Sequence, residues 1–270
     1  MAKISVCVEC FFTDLPVEER ISKIADIGYR YIEFWHPEGT FDGKEIKFTP
    51  KNASSLKKAC QDNGITINDF AMHSWDGSIG GCPVNAEDHK KYFEQIKKMI
   101  DFAGKIDCNK GITLSGIVTG GLTEEKMLEN LKKAYSKAAE IAEKEDFILL
   151  VEPLNSLVDH PGYFLDSTKN AVDIIMEINS PNLKLLYDVY HMQIMQGNII
   201  DFIESNIDLI GHFHSAGVPG RAELFDSEIN YPAIIKKIDE LGYQGCFGLE
   251  YFPKVEHTES LKKTLNYLNN

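Results

Sequence analysis

A short apolar run followed by an amphipathic stretch recurs eight times along this chain, and that alternation constrains its fold more than any other feature. Strand-like runs fall at residues 4–10, 31–35, 66–72, 111–115, 148–152, 183–188, 207–214 and 246–250. Helix-like stretches follow at 16–27, 49–63, 86–105, 123–144, 167–178, 199–205, 231–241 and 258–268. Pro16 sits in the first turn of the first helix and Gly28 stops it; Gly64 stops the second, and Thr123 caps the fourth. The run Ile148-Leu149-Leu150-Val151 is apolar without alternation, as in a parallel strand buried on both faces. Strands alternating with helices predict an α/β fold with a parallel sheet. Eight such units in 270 residues favour closure into a (β/α)8 barrel. No shift in composition marks a boundary, so a single domain over residues 1–270 is expected.

The net charge of −13 disfavours a nucleic-acid backbone as partner, because that needs clustered Lys and Arg. The apolar runs fall far short of the ~20 residues that span a bilayer, so no membrane partner is expected. The N-terminus runs straight into a strand-like segment without the pattern of a secretory signal. Six cysteines without such a signal suit a reducing cytoplasm. Cys7 and Cys10 have C-x-x-C spacing, but no second pair completes a zinc site, and they read as a strand residue and its neighbouring loop residue.

Active-site residues of a (β/α)8 barrel sit at the C-terminal ends of its strands. The last four runs end in Glu152, Asp188, His214 and Glu250. One strand-end acid alone would read as a helix cap or a partner for a nearby Lys. Four consecutive strands ending this way aim three carboxylates and an imidazole into one mouth. Clustered carboxylates raise one another's pKa unless a cation sits among them. One nitrogen and three carboxylate ligands suit a divalent ion, Mn2+, Mg2+ or Zn2+, without choosing among them. His191 follows Asp188 by three residues, in a loop above that site, as a hydrogen-bond donor to a substrate oxygen. Arg221, in Pro219-Gly220-Arg221, could fix a substrate hydroxyl or carboxylate with its planar fork, or pair with Glu223 or Glu228.

Several segments carry a family signature. They are Val151-Glu152-Pro153-Leu154-Asn155, Pro161-Gly162-Tyr163-Phe164-Leu165, Asp188-Val189-Tyr190-His191-Met192-Gln193 with Gly197-Asn198, Val218-Pro219-Gly220-Arg221 with Glu228-Ile229-Asn230-Tyr231, Gly242-Tyr243-Gln244-Gly245, and Gly248-Leu249-Glu250-Tyr251. The N-terminal half matches more loosely, through Phe12-Thr13 and Gly28-Tyr29 with Ile32-Glu33-Phe34. With these the chain resembles the xylose isomerase-like TIM barrel superfamily, and most closely its hydroxypyruvate isomerase family. The resemblance implies one divalent metal held by Glu152, Asp188, His214 and Glu250, with Glu152 and Glu250 also the acid–base pair. It implies an enediolate stabilised by the metal, with His191 and Arg221 holding substrate oxygens. Many hydroxypyruvate isomerases carry Gln where this chain has His214, whereas ketose 3-epimerases carry His. Those epimerases carry a second Glu six residues after the metal-binding Glu, where this chain has Val158. The loop His73-Ser74-Trp75-Asp76-Gly77 also departs from the isomerase pattern, and His73 is a candidate substrate contact.

The leading expectation is therefore an aldose–ketose isomerase of a small unphosphorylated sugar or hydroxy-oxo acid. The chain has no Gly-rich phosphate loop followed by Lys. A ketose 3-epimerase, or a decarboxylase or dehydratase using the same enolate chemistry, is the alternative. An endonuclease IV-like repair enzyme shares the fold but would need further His ligands and a basic surface. A non-catalytic sugar-binding barrel is a third class. A homo-oligomer is left open.

Overall fold

The computed structural model describes residues 3–269. Among the described residues there are ten strands: β1 (Lys3–Cys7), β2 (Tyr31–Phe34), β3 (Thr40–Phe41), β4 (Ile46–Lys47), β5 (Thr66–Phe70), β6 (Lys110–Thr113), β7 (Ile148–Val151), β8 (Leu183–Asp188), β9 (Ile210–Ser215) and β10 (Cys246–Leu249). The α-helices are α1 (Val17–Ile27), α2 (Ala53–Asn63), α3 (His89–Lys105), α4 (Glu124–Glu143), α5 (Thr168–Ile178), α6 (Val189–Met195), α7 (Ile199–Asn206), α8 (Tyr231–Glu240) and α9 (His257–Leu268).

Eight of the strands form one sheet, hydrogen-bonded in the order β5-β2-β1-β10-β9-β8-β7-β6. Every pairing in it is parallel. The two ends of that order meet at a single parallel bridge, Ala71 to Ile112, where the Met72 N–H donates to the Ile112 carbonyl at 3.0 Å. The sheet is thus the nearly closed TIM barrel that the alternation predicts. Leu149, Leu150 and Val151 of β7 are fully buried, as a strand covered on both faces requires. Helix α4 buries Met127, Leu131, Ala134, Tyr135, Ala138 and Ala142 against the sheet, a stripe with helical period. Each fully buried Leu in such a layer contributes about 1.5–3 kcal/mol.

Several boundaries differ from the sequence expectation. Helix α2 starts at Ala53 rather than near Thr49, because the Asn52 side chain accepts from the Ser55 N–H and caps it there. The long stretch from 86 begins as a 3-10 turn, Ala86–Asp88, before α3. Between β2 and α2 lies an antiparallel hairpin of β3 and β4 that the apolar pattern does not reveal. Asp188 ends β8 and also caps α6, so His191 lies in the first turn of a helix and not in a loop. All six cysteines are buried and unbonded. No helix among the described residues is long and apolar enough to cross a membrane.

Candidate metal and catalytic site

The four strand-end residues converge at the C-terminal mouth of the barrel. Glu152 and Glu250 follow directly on β7 and β10, Asp188 is the last residue of β8, and His214 lies within β9. One ligand atom from each lies within 4.8 Å of the others. All four are buried, at 6, 1, 2 and 7% exposure for Glu152, Asp188, His214 and Glu250. His214 Nδ1 is 3.2 Å from Glu152 Oε1 and 3.6 Å from Glu250 Oε2. Asp188 Oδ1 accepts the Tyr190 N–H at 2.8 Å and the His191 N–H at 3.4 Å. Glu250 is held at both oxygens: Oε1 accepts from Trp35 Nε1 at 2.6 Å, and Oε2 from Arg221 Nη2 at 2.5 Å.

The electrostatics of this donor set suit a cation. Burial pushes the Asp188 carboxyl up to about 7 against the pull of His214. Burial likewise raises Glu152, with His214 opposing and Glu250 adding to the rise. At Glu250 burial also acts upward, but Arg221 and His214 outweigh it and leave the carboxyl below its ordinary range. Burial disfavours a charged His214, yet Glu33 and Glu250 outweigh it and raise the imidazole pKa. A cluster that draws a proton onto its imidazole is one that a divalent cation would satisfy instead.

His191 is fully buried, and its tautomer is set by its neighbour. Its Nδ1 accepts from the Asn155 backbone N–H at 3.2 Å and from Asn155 Nδ2 at 2.7 Å. Burial, with Arg221 adding, holds the imidazole neutral, so the proton sits on Nε2. Among the described residues that Nε2 has no hydrogen-bond partner, and it lies 3.5 Å from Asp188 Oδ2. Arg221 pairs with Glu250, and neither Glu223 nor Glu228 holds it. Glu223 accepts the Lys254 and Val255 N–H groups, and Glu228 accepts from Gln193. The guanidinium also lies over the Tyr190 ring, 5.4 Å from its centroid. His73 lines the same cavity, but both ring nitrogens are engaged by the protein. Nε2 accepts the Leu114 N–H at 3.1 Å, and Nδ1 faces the Ser74 carbonyl at 3.3 Å. Val158 is 62% exposed.

Above the cluster opens a cavity of about 380 Å3, walled by Trp35, Trp75, Leu154, His160 and Phe252. Residues lining it to which the sequence assigned no site role include Trp35, His160, Glu33 and Asp69. His160 packs edge-on against Trp75, with ring centroids 4.9 Å apart. A second buried group, Glu33, Asp69, His212 and His214, lies beside the first and shares His214 with it. His212 Nε2 is 2.9 Å from Glu33 Oε2 and 3.2 Å from Asp69 Oδ2.

Comparison with known proteins agrees with this architecture. The family model for xylose isomerase-like TIM barrels matches residues 21–270. The hydroxypyruvate isomerase of Escherichia coli (strain K12) is 29% identical over 262 residues, covering 97% of this chain and 98% of its own. A putative hydroxypyruvate isomerase of Danio rerio is 31% identical, covering 94% of this chain and 92% of its own. Among solved structures, one described as an AP endonuclease, family 2, from Brucella melitensis superposes with a TM-score of 0.87 at 26% identity and covers 99% of both chains.

Proposed function

The chain belongs to the xylose isomerase-like TIM barrel family and is an isomerase, and from that premise we propose that it interconverts aldose and ketose forms of a small unphosphorylated sugar or hydroxy-oxo acid through an enediolate. The observation that carries this reading is the convergence of Glu152, Asp188, His214 and Glu250 in one buried mouth. These four would hold one divalent ion, Mn2+, Mg2+ or Zn2+, whose contribution when bound is Lewis-acid polarisation of the substrate carbonyl.

The protein's own groups account for the proton transfers. Glu152 and Glu250 both face His214 Nδ1, at 3.2 and 3.6 Å. One of them removes the proton from the carbon beside the carbonyl, and a proton is returned to the neighbouring carbon. Trp35 and Arg221 fix the Glu250 carboxylate so that its reach does not depend on rotamer chance. His191 offers a neutral Nε2–H to a substrate oxygen. The apolar wall of Trp35, Trp75, Leu154 and Phe252 limits water around the reacting carbons.

A ketose 3-epimerase is the second reading, favoured by His214 and by a cavity of about 380 Å3, roomier than a three-carbon substrate needs. The net charge of −13 and the carboxylates of the mouth fit poorly with an AP endonuclease acting on a DNA backbone. The deciding experiment incubates the Mn2+-loaded protein in D2O with hydroxypyruvate, tartronate semialdehyde and simple three- to six-carbon ketoses. Deuterium entering at the carbon beside the carbonyl, with an aldose product, supports the isomerase. A product inverted at carbon 3 selects the epimerase. Turnover without any solvent deuterium would overturn the enediolate route.

A further inference from the structure

His214 presents its two ring nitrogens to two different groups. Nδ1 faces Glu152 and Glu250 in the candidate metal cluster, and Nε2 faces Glu33 Oε1 at 3.3 Å. That approach lacks good hydrogen-bond geometry, but neither Nε2 nor Oε1 has any other hydrogen-bond partner among the described residues, and both are buried. Glu33 is anchored through its other oxygen. Oε2 accepts from Ser5 Oγ at 2.6 Å and lies 2.9 Å from His212 Nε2. The carboxylate therefore cannot swing away from His214 without breaking two buried contacts.

The backbone of β10 is cut to admit this pair. Gly248 stands opposite His214 in the β9–β10 register. A Cβ added there would lie 2.3 Å from Glu33 Oε1 and 2.8 Å from His214 Cδ2. Real Cβ atoms do not approach that closely, so any other residue at 248 would displace Glu33, His214 or both. Gly248 has an ordinary backbone angle, so the space and not the conformation is what calls for glycine.

An imidazole that ligates a cation does so with a bare nitrogen, and its other nitrogen then carries the proton. A carboxylate can only accept from that N–H. Outer partners of this kind set both the tautomer and the ring orientation of a ligating histidine. We propose that Glu33 is a positioning residue for the metal site, holding the proton of His214 on Nε2 so that Nδ1 is bare toward Glu152 and Glu250, and that Gly248 is the notch that lets Glu33 reach it. This rests on the metal-dependent reading of the site, and it extends the functional machinery to β2, on the far side of β1 from β10.

The test is metal affinity of the metal-stripped protein, measured by calorimetry with Mn2+ and by the visible absorption of bound Co2+. Glu33→Gln keeps the volume but removes the anionic acceptor, and should weaken Mn2+ about 10- to 100-fold. It should also alter the Co2+ band while the fold and melting temperature stay close to wild type. Gly248→Ala should weaken binding to a similar degree, and the double variant should be no worse than either single one, because both act through the same contact. If Gly248→Ala does not fold, Glu33→Gln alone decides. Wild-type binding with Glu33→Gln affinity within threefold and an unchanged Co2+ band would overturn the proposal. A wild-type protein that binds no Mn2+, or binds it no better than Asp188→Asn does, would overturn the metal reading itself and this inference with it.

Discussion

The Trp35 indole N–H donates to Glu250 Oε1 at 2.6 Å, tying the residue that follows β2 to the one that follows β10. The two positions lie 215 residues apart in the chain and on strands separated by β1. With Arg221 on the other oxygen, Glu250 is a carboxylate with no freedom to rotate. Trp35→Phe keeps the ring against Phe41 and Phe252 but removes the donor. A hydrogen bond to a charged group contributes about 1.5–3 kcal/mol. The expected loss in kcat is roughly 10- to 100-fold, with KM moving less, read by steady-state kinetics on whichever substrate the panel identifies. An unchanged kcat would show that Glu250 needs no help from the indole.

Glu152 has no comparable clamp, and its nearest partner is His214 at 3.2 Å. Glu152→Gln keeps an oxygen that can face a cation but cannot carry the proton. Solvent deuterium exchange into substrate should fall by about 10^2 to 10^4-fold. Exchange at the wild-type rate would remove Glu152 from the proton-transfer pair.

Cation binding should also appear as stability. A ligand that binds only the folded chain adds about 2.7 kcal/mol at one hundred times its Kd. Mn2+ should therefore raise the melting temperature of the chelator-stripped protein by several degrees. The rise should be absent in Asp188→Asn, whose carboxyl burial otherwise pushes up to about 7. Equal rises in both proteins would place the cation elsewhere.

The C-terminal half of the candidate site was legible because Glu152, Asp188 and Glu250 each close an apolar run. Glu152 and Glu250 break off four-residue buried strands, and nothing in a bland surface turn demands a carboxylate there. Glu33 was hidden by the opposite pattern. In Tyr31-Ile32-Glu33-Phe34 an acid sits within the strand, where alternation suggests a solvent face. Inside a closed barrel there is no solvent face, so Glu33 and Asp69 point into the interior at 2 and 0% exposure. The β3–β4 hairpin was hidden by size, since strands of two residues carry no period. The helix holding His191 had a readable cap in Asp188, but the same residue ends a strand, and the strand reading won.

His73 gives a prediction about pH. Burial, with His36 adding and the Ser74 carbonyl opposing, lowers its pKa from 6.5 to about 4. Below pH 6.5 the unfolded chain binds a proton that the folded one refuses, so stability falls as pH drops from 6.5 toward 4 and is full above that window. The contribution at stake is on the order of 3 kcal/mol. Denaturant unfolding at pH 7 and pH 4.5 should show wild type losing more than His73→Asn by roughly 2 kcal/mol, the part of that window crossed at pH 4.5. Parallel losses would mean that His73 is protonated in the fold.

Phe48 lines the cavity yet is 71% exposed, and Ile46 beside it is 42% exposed. Both belong to the segment of the β3–β4 hairpin and line the cavity together with Trp35 and Phe252. Exposed apolar side chains gathered at a cavity rim mark a surface that a ligand covers. A five- or six-carbon ketose presents more carbons to these apolar side chains than a three-carbon substrate does. Phe48→Ser should therefore raise KM for a six-carbon ketose several-fold and leave KM for hydroxypyruvate unchanged, with kcat constant for both. The loss of one rim contact of this size corresponds to about 1–2 kcal/mol of binding. Equal KM changes for short and long substrates would show that Phe48 acts on the fold of the hairpin and not on the substrate. No change for either would confine the substrate to the inner part of the cavity.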